Sequence, residues 1–460
     1  MNQTTLEKPT STQRLLLALI ILFASTLSMV VVAFHRADYF QGTVPPKIIR
    51  HLSPLAAKLS GGDSEHSVFN DELQYLELAL SIARNGSYAG KWDLYRPPVY
   101  PAFLAIACLV SGNRLVGLYA IQAMLFVLTL ALLYRTALHI TGSFGVALLT
   151  IGLSSLWLPF YQYIPRLLTE NIAMFLVAAS LWLVLMAADN PTYKRCAAAG
   201  VVIGLAALVK PTILPFVFLA PVLIYLRVRK SRHGFLSAGL VLILSILMIL
   251  PRTYHNYRVT GCFVPIATGG GLSFYLGNSP MLFIDSKLAV REVYDGSDLS
   301  GWVTGDKLEV QKDKALARKE FMRIRKDPEG AAGLFARKFS LFWLGQLGAD
   351  PNIVRKQLNK SIPHIWGFGI PKRSVIYTAV FLAAVIGWFL LPPLGRIRGR
   401  PVMWFLIMWT GVYVATLFDR RYVVPVQFYE TFLASITGWH ILSRVFSRKN
   451  RLRLNIQEES

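Results

Sequence analysis

Asp71 and Glu72 stand side by side in a polar stretch that follows the first long apolar run of the chain. Tyr95-Arg96-Pro97-Pro98-Val99-Tyr100-Pro101 comes next, and apolar sequence then resumes. A carboxylate at a membrane interface is poorly solvated, so its pKa tends upward. Such a group suits a general base that takes a proton from a hydroxyl or amine nucleophile. Asp71 is the first candidate for that role. Asp71-x-x-Gln74 also fits a capping box, in which the carboxylate caps the helix it opens. The two roles are compatible. Glu72 lies about 100° round the same helix, placed to tune Asp71, to bind substrate or to be merely solvated.

Cations form the second constellation. Lys and Arg near membrane boundaries belong on the cytoplasmic side. Yet Arg96, Arg166, Lys210, Arg252, Arg420 and Arg421 fall at boundaries expected on the outer side. Each alone fits a snorkelling side chain. Together they fit an anionic ligand held at that depth, such as a phosphate on a membrane lipid. Glu170 opens a span after Arg166-Leu-Leu-Thr, where the helix dipole favours an acid and where acids are costly without a purpose. Asn256 follows Pro251-Arg252, and Asn278 follows Gly277; the latter fits a sugar ligand or a turn cap. His255 has no second ligand nearby at metal-binding spacing. The sequence requires no cofactor, and a divalent metal is compatible with it but not indicated. Cys108, Cys196 and Cys262 form no CxxC pair, and no phosphate-binding glycine loop is present.

The elements that carry these residues are membrane elements. The chain has 460 residues, 54% hydrophobic and 16% charged, against about a quarter charged in soluble proteins. Several runs reach the roughly 20 apolar residues a helix needs to cross a bilayer. The net charge of +23 fits cytoplasmic loops and anionic headgroups. No basic stripe lies on a separate soluble domain, which speaks against nucleic acid as a partner. The fold class is an all-α polytopic membrane protein with about ten transmembrane helices and amphipathic interfacial helices in two long outer loops.

The spans fall at about 15–34, 115–134, 143–162, 170–188, 196–210, 212–227, 235–252, 374–393, 401–418 and 423–443. The run 15–34 is too long for a signal-peptide core. The run 99–111 is short and reads as a re-entrant or interfacial helix. Loop Lys and Arg then place residues 1–14 and the basic tail 444–460 in the cytoplasm, and segments 35–114 and 253–373 outside. In the first outer loop, Leu73, Leu76, Leu80 and Ala83 give one apolar face to a helix at 71–84, ended by Asn85-Gly86. In the second, Gly269-Gly270-Gly271 reads as flexible, and 306–326 as a charged helix stopped by Pro328. Residues 334–347 read as an interfacial helix with aromatic anchors.

The run Asp71-Glu72-x-x-Tyr75-x-x-x-Ala79, then Gly86-x-Tyr88, then Arg96-Pro97-Pro98-x-Tyr100-Pro101, resembles the first outer loop of polyprenyl-phosphate-dependent GT-C type glycosyltransferases. The aminoarabinose transferases and protein O-mannosyltransferases are of this kind. Thr169-Glu170, Gly204-Leu205-Ala206 to Lys210-Pro211, Pro251-Arg252-x-x-x-Asn256, Gly277-Asn278 and Arg421-Tyr422-x-x-Pro425 follow in order. The resemblance covers about 70–435. It implies a donor sugar on a polyprenyl phosphate, an acceptor that is a lipid, glycan or protein, and inverting transfer at the outer face. The expected location is a bacterial inner (plasma) membrane, with the site on its outer, periplasmic side. It implies Asp71 as base, with Arg96, Lys210, Arg252 and Arg421 holding the leaving phosphate. Glu72, Tyr95, Tyr100, Arg166, Glu170, Asn256, Asn278, Arg420 and Tyr422 complete the substrate-binding candidates.

The expected layout departs from those relatives in three respects. After the last expected span comes only the basic tail 444–460, where the former carry more spans and a C-terminal outer domain. No large luminal insert of the kind the latter carry is expected, and His255 stands where Arg is common. Two other functions share the outer cations: a transporter or flippase of a lipid-linked sugar, and a polysaccharide polymerase. The long outer loops and the lack of a visible internal repeat favour the transferase over a transporter.

Overall fold

The structure, a computed structural model, describes residues 10–39, 71–111, 115–228, 232–278, 303–344, 370–417 and 419–458. The described residues form helices and no strand, as a bilayer demands of backbone that must satisfy itself. In chain order these are α1 (Ser11–Tyr39), α2 (Asp71–Asn85), α3 (Val99–Val110), α4 (Leu115–Thr141), α5 (Phe144–Leu156) and α6 (Leu158–Tyr161). Then come α7 (Glu170–Asp189), α8 (Tyr193–Val209), α9 (Leu214–Arg227), α10 (Arg232–Thr260) and α11 (Gly270–Asn278). The last are α12 (Lys307–Lys326), α13 (Pro328–Trp343), α14 (Ile370–Leu390), α15 (Pro393–Ala415) and α16 (Val424–Glu458).

Four described helices are long and apolar enough to cross a membrane by length and composition: Ser11–Val30, Gly117–Thr141, Glu170–Asp189 and Arg232–Thr260. The ten-span expectation differs from the helices in several places. The span at 143–162 is not one helix: α5 stops at Leu156, and Trp157 separates it from the single turn of α6. Pro159 in that turn has no amide to continue the ladder. α10 runs through Pro251 to Thr260, well past residue 252, and α15 starts at Pro393 rather than 401. The 12 residues of α3 measure about 18 Å, too short to span alone.

Helix ends follow local chemistry. Ser143 caps α5 by accepting from the Val146 amide at 3.3 Å, and Asp306 caps α12 by accepting from Leu308 and Glu309. Gly86 ends α2 at φ 64°, where a side chain would be strained. α8 and α10 approach closely because Gly200 and Gly204 lack side chains. A Cβ on Gly200 would stand 2.7 Å from the Val241 carbonyl oxygen, and one on Gly204 2.6 Å from Met248 Cβ.

The core lies where α4, α5, α7, α8, α9, α15 and α16 pack, around Phe126, Phe160, Phe216, Phe405, Trp409 and Phe428. Phe160 and Phe428 stack at 3.8 Å. Hydroxyl pairs Thr150–Ser435 (2.6 Å) and Ser154–Thr431 (2.8 Å) tie α16 to α5. Interhelical hydrogen bonds of this kind add directional contacts where the lipid gives no hydrophobic drive.

The stretch expected to be flexible at Gly269-Gly270-Gly271 is packed. Gly271, in the first turn of α11, lies against Asp313, whose backbone oxygen would stand 1.9 Å from an added Cβ, and Gly269 faces the Tyr95 ring. Gly269 and Gly271 serve close approach, while Gly270 between them faces open space. Helix 306–326 is present, but Pro328 stops it only to open α13, which begins before 334 and ends at Trp343. Residues 345–347 of the expected helix lie outside the described residues.

Candidate active site

α2 brings Asp71, Gln74 and Tyr75 to one face, and the segment after it folds back to meet them. Trp92 Nε1 donates to Glu77 of α2 at 2.8 Å. The Tyr88 hydroxyl donates to the Arg96 carbonyl at 2.6 Å, and the Arg96 amide to Trp92 at 2.8 Å. The Arg96 side chain is thereby fixed over α2. Its Nη2 pairs with Asp71 Oδ1, its Nε donates to Gln74 at 2.7 Å and its Nη1 to the Tyr75 hydroxyl at 3.4 Å. The rings of Tyr75 and Tyr95 each lie 4.9 Å from the guanidinium. The capping-box partner Gln74 thus serves Arg96.

The other Asp71 oxygen belongs to a residue 350 positions away. Arg421, in the 3₁₀ turn Arg420–Tyr422 that precedes α16, donates from Nη1 to Asp71 Oδ2 at 2.5 Å. It also donates to the Tyr422 hydroxyl at 3.2 Å. Tyr422 stacks on Tyr413 of α15 at 4.6 Å. On Tyr422 lies Lys210, its Nζ 5.1 Å from the ring centroid and 3.0 Å from Glu170 Oε1. Glu170 opens α7, and Lys210 is the residue on which α8 ends before Pro211. Both are buried. Asp71, Arg96, Arg421, Tyr422, Lys210 and Glu170 therefore form one continuous polar cluster drawn from α2, α7, α8, the loop before α3 and the turn before α16.

Glu72 points elsewhere, accepting from the Leu167 amide at 3.3 Å beside Arg166. Tyr100 is buried with its ring edge-on to Tyr75 at 4.9 Å. Its hydroxyl and Glu170 Oε2 are buried without a protein partner. The Arg420 side chain lies outside the described ones.

Three of the expected ligand residues are committed to backbone. Arg252 donates from Nε to the Ile266 carbonyl at 3.0 Å and from Nη2 to the Asp93 carbonyl. Asn256 donates to Val264 and Ile266 carbonyls, both at 3.0 Å. Asn278 donates to the Ala415 carbonyl at 2.8 Å. These contacts position the loop around Arg96 and the end of α11, and the three side chains stand outside the Asp71 cluster. Sequence reading missed Gln74, Tyr75 and Tyr413. Gln74 and Tyr75 share the Asp71 face by helical spacing, which was a usable signal; Tyr413 meets Tyr422 only through the tertiary fold.

Burial pushes the Asp71 carboxyl up, but the Arg96 and Arg421 guanidinium groups outweigh it and bring it down to about 2. Glu72 moves the other way, raised by burial against the Leu167 amide and Arg166. The expected upward drift of an interfacial Asp71 is thus reversed by its two arginines. The arrangement offers a carboxylate and several cations in one partly buried place, suited to proton transfer beside a phosphate. Among the described residues no group of three His, Cys, Asp or Glu side chains has metal-binding geometry.

Residues 95–255 match the model of the family described as dolichyl-phosphate-mannose-protein mannosyltransferase. The match supports a membrane glycosyltransferase of the GT-C type. It contains Arg96, Arg166, Glu170, Lys210 and Arg252, and it excludes Asp71 and Arg421. No curated protein matches the chain.

Proposed function

We propose that this GT-C type glycosyltransferase takes its sugar from a polyprenyl-phosphate donor and transfers it, with inversion, to a lipid, glycan or protein acceptor at the outer face of a bacterial inner membrane. The observation that carries the reading is the pairing of both Asp71 oxygens with Arg96 and Arg421, next to Lys210. Without ligand, Asp71 spends its charge on two cations and is a weak base. A donor phosphate competes for the same guanidinium groups, for which bidentate contact is favourable. As the arginines turn to phosphate, Asp71 loses the charges that hold its pKa down, and burial raises its basicity. An acceptor O–H or N–H then gives its proton to Asp71. The acceptor atom bonds to the sugar C1 as the C1–O(phosphate) bond breaks, and polyprenyl phosphate leaves with its added charge on Arg96, Arg421 and Lys210. Glu170 holds Lys210 in place for that contact.

The test uses the full protein in proteoliposomes with a radiolabelled polyprenyl-phosphate sugar and an extract of acceptor lipids. Label in a covalent product, lost with Asp71→Asn, supports the reading. Passage of intact donor across the bilayer without product overturns it in favour of transport.

A further inference from the structure

α12 sorts its charges by face. Its acids turn inward: Glu309 accepts from the Thr268 hydroxyl and from the Thr304 and Gly305 amides at 3.1 and 2.9 Å. Asp313 accepts from the Leu272 amide at 2.9 Å, and buried Glu320 holds Arg323 at 2.6 Å. Lys314, Arg318 and Arg325 are exposed, and among the described residues none of them makes an ion pair. Phe321 and Met322 stand between them, 61% and 48% exposed. Positions 314, 318, 321 and 325 share one helical face. A merely solvated face mixes both signs of charge. Cations of one sign around large exposed apolar groups are instead the composition of a helix on an anionic lipid surface.

The fold puts α12 at the right depth. The outer end of α10 exposes Tyr254, Tyr257 and nearby Phe263, and aromatic side chains concentrate at the membrane–water boundary. The first turn of α12 is tied to that region through Glu309 and Thr268. Its last turn leads through Asp327 into α13, whose Phe339 and Trp343 pack on Phe381 of α14 at 6.5 and 5.5 Å. Both ends of a helix about 30 Å long are thus anchored to boundary elements. We propose that this face of α12 docks on anionic lipid headgroups of the surrounding bilayer, with Arg318 and Arg325 on lipid phosphates and Phe321 and Met322 among the upper acyl carbons. The proposal is independent of the transfer reaction.

The test places an environment-sensitive fluorophore on Met322→Cys after Cys108, Cys196 and Cys262 are changed to Ala. The protein is reconstituted in nanodiscs of phosphatidylcholine alone or with phosphatidylglycerol, and quenching by acrylamide is measured. Shielding is expected only in the anionic discs. At roughly 1 kcal/mol per basic residue, each Arg→Gln change at 318 or 325 should weaken it about fivefold, and high salt should reverse it. Equal quenching in both discs overturns the proposal. So does shielding already present in detergent, which means that the chain covers its own face, and so does shielding that survives the double Gln variant. Hydrogen exchange of 307–326 in the unsubstituted protein gives the same comparison, with slower exchange expected in anionic discs.

Discussion

α7 carries an acid at each end, and the two ends differ in why those acids hold cations. Glu170 opens the helix and Asp189 closes it, about 30 Å apart at 1.5 Å per residue. The helix dipole opposes an acid at the C-terminal end. Asp189 is accordingly surrounded by His139 at 2.8 Å, Arg227 at 2.9 Å and Arg398 at 3.7 Å, from α4, α9 and α15. These are basic side chains expected on the side where loop charge collects, and they tie four helix ends together. Glu170 is already favoured by the dipole, yet buried Lys210 pairs with it, and Tyr422, Arg421, Asp71 and Arg96 follow. The difference is in what each cluster ties together. At Asp189 three basic groups close on one acid at helix ends, whereas at Glu170 two acids and three cations are linked through an aromatic ring across α2, α7, α8 and the turn before α16. On the proposed reading that second cluster is where the donor phosphate sits.

The largest expected effect separates the two aspartates. Asp71→Asn should lower transfer by about 10²–10⁴-fold, the usual contribution of a general base, whereas Asp189→Asn should leave turnover per folded molecule unchanged. Asp71→Asn also leaves two half-buried guanidinium groups facing an amide, so it should unfold at lower temperature. Asp71→Asn combined with Arg421→Gln should recover part of that stability and none of the activity. A stable, inactive double variant separates chemistry from folding. A stable, active one breaks the base assignment.

The next effect concerns the cations. Lys210→Met should raise the donor KM by about 10–100-fold, the cost of one charge-assisted hydrogen bond, with a smaller change in kcat. Arg227→Gln, on the Asp189 side, should leave KM unchanged and cost about 1 kcal/mol of stability, because that cluster is partly solvated. Initial rates over donor concentration and thermal unfolding in the same detergent check both. A KM change from the Arg227 variant would erase the distinction between a ligand end and a structural end.

Much of this contrast was legible in the sequence. Asp71, Arg96, Glu170, Lys210 and Arg421 stand out because charge at membrane boundaries is costly, and the cations among them fall at boundaries that loop charge leads one to expect on the outer side. Arg252 carried the same signal but satisfies backbone carbonyls of loops, and the amides of Asn256 and Asn278 likewise satisfy backbone carbonyls, of a loop and of the end of α15. Residue type and depth cannot tell a cation that awaits a ligand from one that ties a loop; only the partner can. The helices at 71–84 and 306–326 were legible from periodicity and stop residues. The break at Trp157 was not, because Leu158, Phe160 and Tyr161 keep the stretch apolar through it. Lys338 was hidden by its aromatic neighbours: it reads as an interfacial cation, yet it is buried with Nζ donating to Gly277, Asn278 and Thr416.

The smallest effect is in the pH dependence, and it tests the exchange of arginines directly. In the free protein Asp71 has a pKa of about 2 against an ordinary 3.8. Its ion pairs therefore contribute stability above about pH 4 and lose it as pH falls towards 2. The profile of kcat/KM for donor reports the free protein, so it should show no acid limb from Asp71 above about pH 4. The profile of kcat reports the donor complex, in which phosphate has drawn off the arginines and burial has raised the carboxyl. Its acid limb should lie at higher pH, by about one unit for each 1.4 kcal/mol of lost attraction. Coincident limbs would mean that Asp71 keeps its arginines through the reaction and that the phosphate is held by Lys210 and others alone.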